Sequence, residues 1–196
     1  MMPKQVVIIQ GHPDPTDNHF CHALATEYAK GAESTGHTVR VIEIAQIEFP
    51  VLRSKEDFDN GIPPESIRIA QQLIHEAEHL VMFYPLWLGT MPAYFKAFLE
   101  QVFRPGFAAN KLRADKPWEK LLTGRTARIV ITMGMPAFIY RWYYFAHSLK
   151  SLERNILGFC GIGPTKDTLV GMVDTIDQAK RKKWLSKMFL LGSSCK

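Results

Sequence analysis

Five short apolar runs, each followed by a stretch of helical periodicity, constrain this chain more than any other feature. Residues 4–10 (KQVVIIQ) form a continuous apolar run, as expected of a strand buried on both faces. Gly11 and the turn-rich segment 12–18 (HPDPTDN) end it. A helical pattern begins at His19, with Phe20, Leu24 and Tyr28 on one stripe. Thr16, Asp17 and Asn18 all suit its N-cap, and Gly36 closes it. Residues 38–44 (TVRVIEI) read as the second strand. Residues 45–64 read as a long irregular loop, of the kind that covers a functional site. Pro64 and Glu65 open a second helix that runs through His75. The third strand spans 80–84. The helix after it starts at Pro92, where a missing N–H costs nothing, and places Met91, Phe95, Phe98, Leu99 and Val102 on one face. Residues 104–124 are again irregular. The fourth strand is 126–133, followed by an aromatic stretch at 138–145 that leads into a helix through Leu157. The fifth strand is 164–170, and the last helix is 175–190, capped by Asp174 or Thr175.

Strands alternating with helices imply an α/β fold, a parallel sheet with helices on both faces and right-handed crossovers. The order 2-1-3-4-5 is one of the two common choices. Ligands in such open sheets bind outside the carboxyl ends of the strands, at the switch between strands one and three. The loops of interest are therefore 11–21, 85–91 and 133–140. With 196 residues and no linker or repeat, the chain is expected to form a single domain over 1–196.

Composition excludes several functions. Cys21, Cys160 and Cys195 are far apart and odd in number, forming neither a disulfide framework nor a metal-ligand spacing, which favours a reducing cytoplasm. Seven histidines are scattered along the chain. No apolar run reaches the ~18 residues that membrane insertion requires, and the N-terminal run lacks the features of a signal peptide. Much of the net charge of +5 lies at Lys180, Arg181, Lys182, Lys183 and Lys187, which read as a solvated helix face. No aromatic platform or reading motif accompanies them, so nucleic acid is not an expected partner.

The three loops carry unusual chemistry. The first leads into a helix N-terminus, where free N–H groups favour an anion, with His12, Thr16, Asn18 and His19 as side-chain donors. The third-strand loop is apolar where connections are normally polar: Pro85, Leu86, Trp87, Leu88 and Gly89, then Met91. Such a loop covers something flat, packs on its own core or meets a partner chain. Backbone N–H groups around Trp87, Leu88 and Gly89 suit the polar edge of a heterocycle. Thr132, Met133 and Gly134 suit another edge, with glycine permitting close approach. Tyr140 and His147 can add a hydroxyl and an imidazole.

Residues 84–107, YPLWLGTMPAYFKAFLEQVFRPGF, resemble the signature of the flavodoxin-like NAD(P)H:quinone reductases, the DT-diaphorase-like flavoproteins. The first loop, HPDPTDNHFCHALA, resembles that family's H-P-x-x-x-S-[FL]-N-x-A-L. The resemblance implies a flavodoxin-like three-layer sandwich, a bound FMN or FAD, and a homodimer. It also implies two-electron, ping-pong reduction of quinones or similar planar acceptors by NADH or NADPH. Carried over, His12, Phe20 and the loop between them would hold the flavin phosphate and ribityl chain. Pro85 to Gly89 would contact the isoalloxazine ring, and Thr132 and Gly134 its pyrimidine side. Tyr140 and His147 would stabilise charge on the flavin. The chain departs from the pattern at His19 and Cys21, where serine and asparagine are expected. It reads TMGMP in place of TTGG, and its tyrosine-to-histidine spacing is one residue longer. Two other readings are an ancillary subunit of a membrane transport system and a flavodoxin-type electron carrier. The basic balance speaks against the carrier.

Overall fold

The structure is a computed structural model that describes residues 2–16, 19–110 and 119–195. Its centre is a parallel sheet in the order β2-β1-β3-β4-β5, as the alternation predicts. The strands are β1 (Gln5–Gln10), β2 (Thr38–Glu43), β3 (His79–Pro85), β4 (Thr126–Thr132) and β5 (Thr165–Val170). β3 is buried along its whole length, paired with β1 on one side and β4 on the other. The unbroken apolar runs follow from this position: a central strand presents both faces to a core.

Alternate residues of each strand serve different layers. Val6, Ile8, Val81, Phe83 and Val130 pack under α1 (Phe20–Glu33) and the last helix, α8 (Gln178–Ser193). Val7, Ile9, Leu80, Met82 and Ile129 pack on the opposite face, against the helices that lie between β2 and β5. These include α3 (Glu65–Glu76), α4 (Ala93–Val102) and α5 (Ala137–Trp142); α2 (Lys55–Asn60) lies between β2 and α3 and buries no residue. Beyond α5, a continuous helical run comprises α6 (His147–Lys150), a π-helical stretch (Ser151–Leu157) and α7 (Gly158–Cys160).

Three expectations need correction. Residues 45–64 are not wholly irregular: Ser54 Oγ accepts the Asp57 N–H at 3.0 Å and caps α2, a helix too short to show periodicity. The aromatic stretch at 138–145, expected only to lead into the helix through Leu157, holds a helix of its own, α5, and Phe145 (φ 52°) and Ala146 (φ 49°) in left-handed backbone set it off from α6. The last helix starts later than expected. Its cap is Asp177, whose carboxylate accepts the Lys180 N–H at 2.7 Å.

α1 and α8 touch backbone to backbone. A methyl group at Gly31 would run into the Phe189 carbonyl, and one at Gly192 into the Tyr28 carbonyl. This contact fixes the position of α8 and thus of the side chains at its start. Among the described residues, no helix is long and apolar enough to cross a membrane.

Candidate functional site

The loops after β1, β3, β4 and β5 enclose a cleft of about 500 Å³ at the carboxyl edge of the sheet. One wall is the β1–α1 connection. The Gln10 side chain folds back, donating to the Cys21 carbonyl (3.3 Å) and accepting the His12 N–H (3.2 Å), which ties the strand end to the helix start. Gly11 passes so close to Phe95 that a Cβ there would lie 2.9 Å from the ring. His12 Nδ1 accepts the Asp14 N–H at 3.2 Å, which leaves the proton of a neutral ring on Nε2. Burial lowers His12 to about 4, assisted by the neighbouring His19 and His22.

Asp14 organises the rest of this loop. Its carboxylate accepts the Thr16 N–H (3.0 Å) and hydroxyl (2.9 Å), and pairs with His19 Nε2 at 2.9 Å. The Thr16 N–H, then the His19 and Thr16 side chains, hold the Asp14 carboxyl well below the usual range. The acid is thus turned towards partners in its own loop. Three of the histidines scattered in the sequence meet here. His12 stacks on His19 with ring centroids 4.0 Å apart, and His22 lies 5.2 Å from His12 and 5.7 Å from His19.

The second wall follows β3. The Leu86 N–H donates to the Thr132 carbonyl at 2.7 Å, extending the sheet by one bond. The chain then reverses in a two-residue turn: the Trp87 N–H donates to Thr90 O (2.8 Å) and the Thr90 N–H to Trp87 O (3.0 Å). Leu88 (φ 47°) and Gly89 (φ 79°) both have positive φ, as a type I′ turn demands. This amends the expected role of the loop. The Trp87 amide is committed to the turn, so Trp87 contributes its ring, set edge-on to His12 at 5.9 Å and 81°. Pro85, Leu86 and Trp87 line the cleft, whereas Leu88 projects fully into solvent at the hairpin tip.

The third wall combines β4 and β5. Thr132 and Met133 are buried, and the Met133 N–H donates to Val170 O at 2.9 Å. A Cβ at Gly134 would lie 2.7 Å from the Asp174 carboxylate, so glycine keeps that corner open. Arg181 at the start of α8 donates to Val173 O at 3.1 Å, and its guanidinium sits 4.9 Å over the Phe20 ring. Asp14, Cys21, Val173, Asp174 and Arg181 line the cleft and were not among the expected site residues. Arg181 lay hidden in a basic run that reads as solvated surface. Asp174 follows the fifth strand, outside the three loops that the switch-point rule selects.

The remaining expected residues stand apart from the cleft. Tyr140 is buried, and its hydroxyl accepts the Leu149 N–H at 3.0 Å. Burial raises its phenol above the ordinary value. His147 is exposed at the start of α6, 5.9 Å from Phe145. Neither lines the cleft, nor do Thr16 and Gly89. Asn18 lies outside the described residues. The cleft therefore has two chemically distinct ends. One bears imidazoles, a guanidinium and a helix N-terminus, and suits an anion. The other, of Pro85, Leu86, Trp87 and Met133, suits a flat apolar ring. A flavin ring on a phosphorylated polyol fits this division. Among the described residues, no group of three or more His, Cys, Asp or Glu is arranged to hold a metal ion.

The chain resembles known proteins along nearly its whole length. It is 28% identical over 180 residues to an "Uncharacterized NAD(P)H oxidoreductase" of Haemophilus influenzae, covering 90% of this chain and 88% of that protein. The NAD(P)H:quinone oxidoreductase of Methanothermobacter marburgensis superposes with a TM-score of 0.78 at 22% identity, covering 98% of this chain and 97% of the other. An FMN-dependent NADH-azoreductase of Bacillus anthracis, solved with FMN, superposes with a TM-score of 0.73 at 16% identity, covering 98% of each. Residues 4–188 match the protein family described as "Flavodoxin-like fold", and with the sheet order 2-1-3-4-5 in place, the chain belongs to that family.

Proposed function

We propose that this protein binds a flavin in the cleft and acts as an NAD(P)H-dependent oxidoreductase that reduces quinones or similar planar acceptors. The observation that carries this reading is the union, in one cleft, of the His12–His19–Arg181 end with the Pro85–Leu86–Trp87 wall. The relative from Haemophilus influenzae, named as an NAD(P)H oxidoreductase, supports it.

A bound flavin supplies hydride chemistry, taking two electrons from a reduced nicotinamide and passing them to an acceptor. The chain supplies position and electrostatics. His12, through Nε2–H, and Arg181 hold the phosphate end. Leu86 and Trp87 cover the ring and exclude water from one side. Thr132, Met133 and Gly134 would border its polar edge. The rest of the expected set, Thr16, Asn18, Phe20, Leu88 and Gly89, belongs to the two loops that carry these groups. Tyr140 supports the α5–α6 connection through Leu149.

The acceptor side is built by more than one copy. Phe138 (66%), Trp142 (75%), Tyr143 (74%) and Phe145 (58%) are exposed on α5 and the turn after it, the segment that follows β4, and Leu88 is exposed at the hairpin tip. So much exposed aromatic surface fits a partner chain, and a homodimer closed over it would also enclose the acceptor site.

The test is an absorbance spectrum of purified protein incubated with FMN or FAD, then treated with NADPH and menadione. Retained flavin bands that bleach with NADPH and return with the quinone are expected. Protein that takes up neither flavin refutes the proposal. Sedimentation equilibrium tests the dimer, and a monomer at micromolar concentration refutes that part.

A further inference from the structure

The sheet ends at β5, and among the described residues no strand lies beyond it. The Ala127 N–H donates to Pro164 O at 3.1 Å and the Met133 N–H to Val170 O at 2.9 Å. Alternate residues of a strand turn their backbone groups to opposite neighbours, so the even-numbered residues of β5 bond to β4. Thr165, Asp167 and Leu169 therefore direct their N–H and C=O groups outward, and all three are half-exposed. Such a row of unmade bonds is a template for another strand unless something blunts it. Proline, which would blunt it, is absent from Thr165 to Val170.

A groove of about 370 Å³ lies along this edge, between α5 and α8. Phe138, Arg141 and Trp142 form the α5 wall, and Trp184 and Lys187 the α8 wall. Arg141 is already paired with Asp167. The Lys187 ammonium sits 4.6 Å over the Trp184 ring, and no carboxylate among the described residues pairs with it. Helical spacing puts Lys180, Lys183, Trp184 and Lys187 on one stripe of α8. Lys180 has Asp177 at 3.9 Å, the longest ion pair among the described residues. The two walls therefore differ in character: rings stand on the α5 side, and positive charge gathers on the α8 side. The side chains of β5 follow the same division. Leu169 packs on the α5 layer, Val170 on the α1–α8 layer, and Lys166 shares the parity of Val170. A strand added to this edge would alternate in step.

We propose that the β5 edge docks an extended acidic segment of another protein, which adds a sixth strand with apolar side chains towards α5 and carboxylates towards α8. Charge selects this occupant over a second copy of the chain, because two β5 edges laid together would bring Lys166 and Lys187 against the same cations of the partner. The groove beside the opposite edge strand, β2, offers no such choice: among the described residues it is lined by Glu43 and by no cation. The contact between copies proposed above then falls on Tyr143, Phe145 and Leu88, outside the groove, and Phe138 and Trp142 serve the docked segment. The flavin reading is not a premise of this inference.

The experiment is fluorescence anisotropy of the whole protein with a short labelled peptide in which glutamate alternates with valine and phenylalanine. Three control peptides accompany it: the same residues in scrambled order, lysine in place of glutamate, and N-methyl groups on alternate peptide bonds. Saturable binding of the alternating peptide is expected, with each control at least about tenfold weaker. Hydrogen exchange at the Thr165, Asp167 and Leu169 amides slows when the peptide is bound. Lys183→Glu combined with Lys187→Glu weakens binding about tenfold and leaves the sedimentation of the protein unchanged. Equal binding of the scrambled or N-methylated peptide, or equal competition by a single-stranded DNA oligonucleotide, overturns strand addition and leaves only a basic surface. Unslowed exchange at the three amides overturns the site. A peptide that splits the dimer and ignores the lysine reversals gives the groove to a second copy and overturns the proposal, as does failure of the alternating peptide to bind.

Discussion

Acid should weaken this fold in a way traceable to one side chain far from the cleft. His79, the first residue of β3, is 2% exposed. Its Nε2 lies 3.0 Å from the Tyr28 hydroxyl and its Nδ1 2.7 Å from the Thr126 hydroxyl. Burial lowers it from 6.5 to about 4, aided by the positive charges of Lys4 and Arg128. The folded protein therefore holds His79 neutral, while the unfolded chain protonates it near ~6.5. The stability tied to the neutral ring is complete above the unfolded value and is lost as pH falls towards the folded one. The slope is about 1.4 kcal/mol per pH unit in that window, or roughly 2.5 kcal/mol between pH 7 and pH 4.5. That is a large share of the ~5–15 kcal/mol that holds an ordinary domain together. The assay is urea unfolding of flavin-free protein followed by circular dichroism at several pH values, in parallel with His79→Gln. Glutamine keeps a donor and an acceptor but does not titrate. Acid losses from His12 and the carboxylates are common to both proteins and cancel. The native protein should lose about 2.5 kcal/mol more than the variant over this interval. Parallel pH profiles would mean that His79 is not held neutral by the fold.

Three further outcomes follow from the geometry. Gly192→Ala forces α8 away from the Tyr28 carbonyl; overpacking of this kind costs about 1–3 kcal/mol or more, and an unchanged thermal midpoint would contradict the backbone contact. Trp87→Ala removes a half-exposed ring that lines the cleft. It should weaken flavin retention or acceptor turnover with little change in the urea midpoint, and unchanged flavin content and rates would refute the assigned role. Tyr140→Phe leaves the Leu149 N–H without its acceptor and should cost about 1–3 kcal/mol in urea unfolding, whereas His147→Ala at an exposed position should cost little. A variant Tyr140→Phe as stable as the native protein would show that the hydroxyl has no structural role.

Much of the fold was legible because the central strands are buried on both faces. An unbroken run such as VVIIQ or LVMFYP has few alternatives once helical patterns flank it, and the topology rules for parallel sheets then leave few orders. What was not legible depended on bonds that leave no periodic trace. α2 rests on one serine cap and spans less than two turns. The break before α6 depends on two residues with left-handed backbone that are not glycines. For the cleft, the walls from β1, β3 and β4 were readable, because strand ends in parallel sheets are predictable places. Arg181 was not: its neighbours Lys180, Lys182 and Lys183 share its charge and are exposed, and only the close packing of α1 on α8 sets which cation faces inward. The histidine cluster was invisible for a similar reason. His12 and His19 are seven residues apart across a turn, and nothing in their spacing shows that Asp14 folds the loop between them.

The two ends of the sheet use the same residue type in opposite ways. At the amino end, His79 is enclosed by Tyr28, Thr126 and Arg128, both ring nitrogens have partners, and charge is excluded. Protonation there works against folding, so the ring contributes to stability only while it stays neutral. At the carboxyl end, His19 keeps part of its ring in solvent and has an acid beside it, and it faces a cleft with room for an anion. The length of the strands separates the two. The stability loss tied to His79 begins as pH falls below the ~6.5 of the unfolded chain and is nearly complete at about 4, whatever the cleft holds.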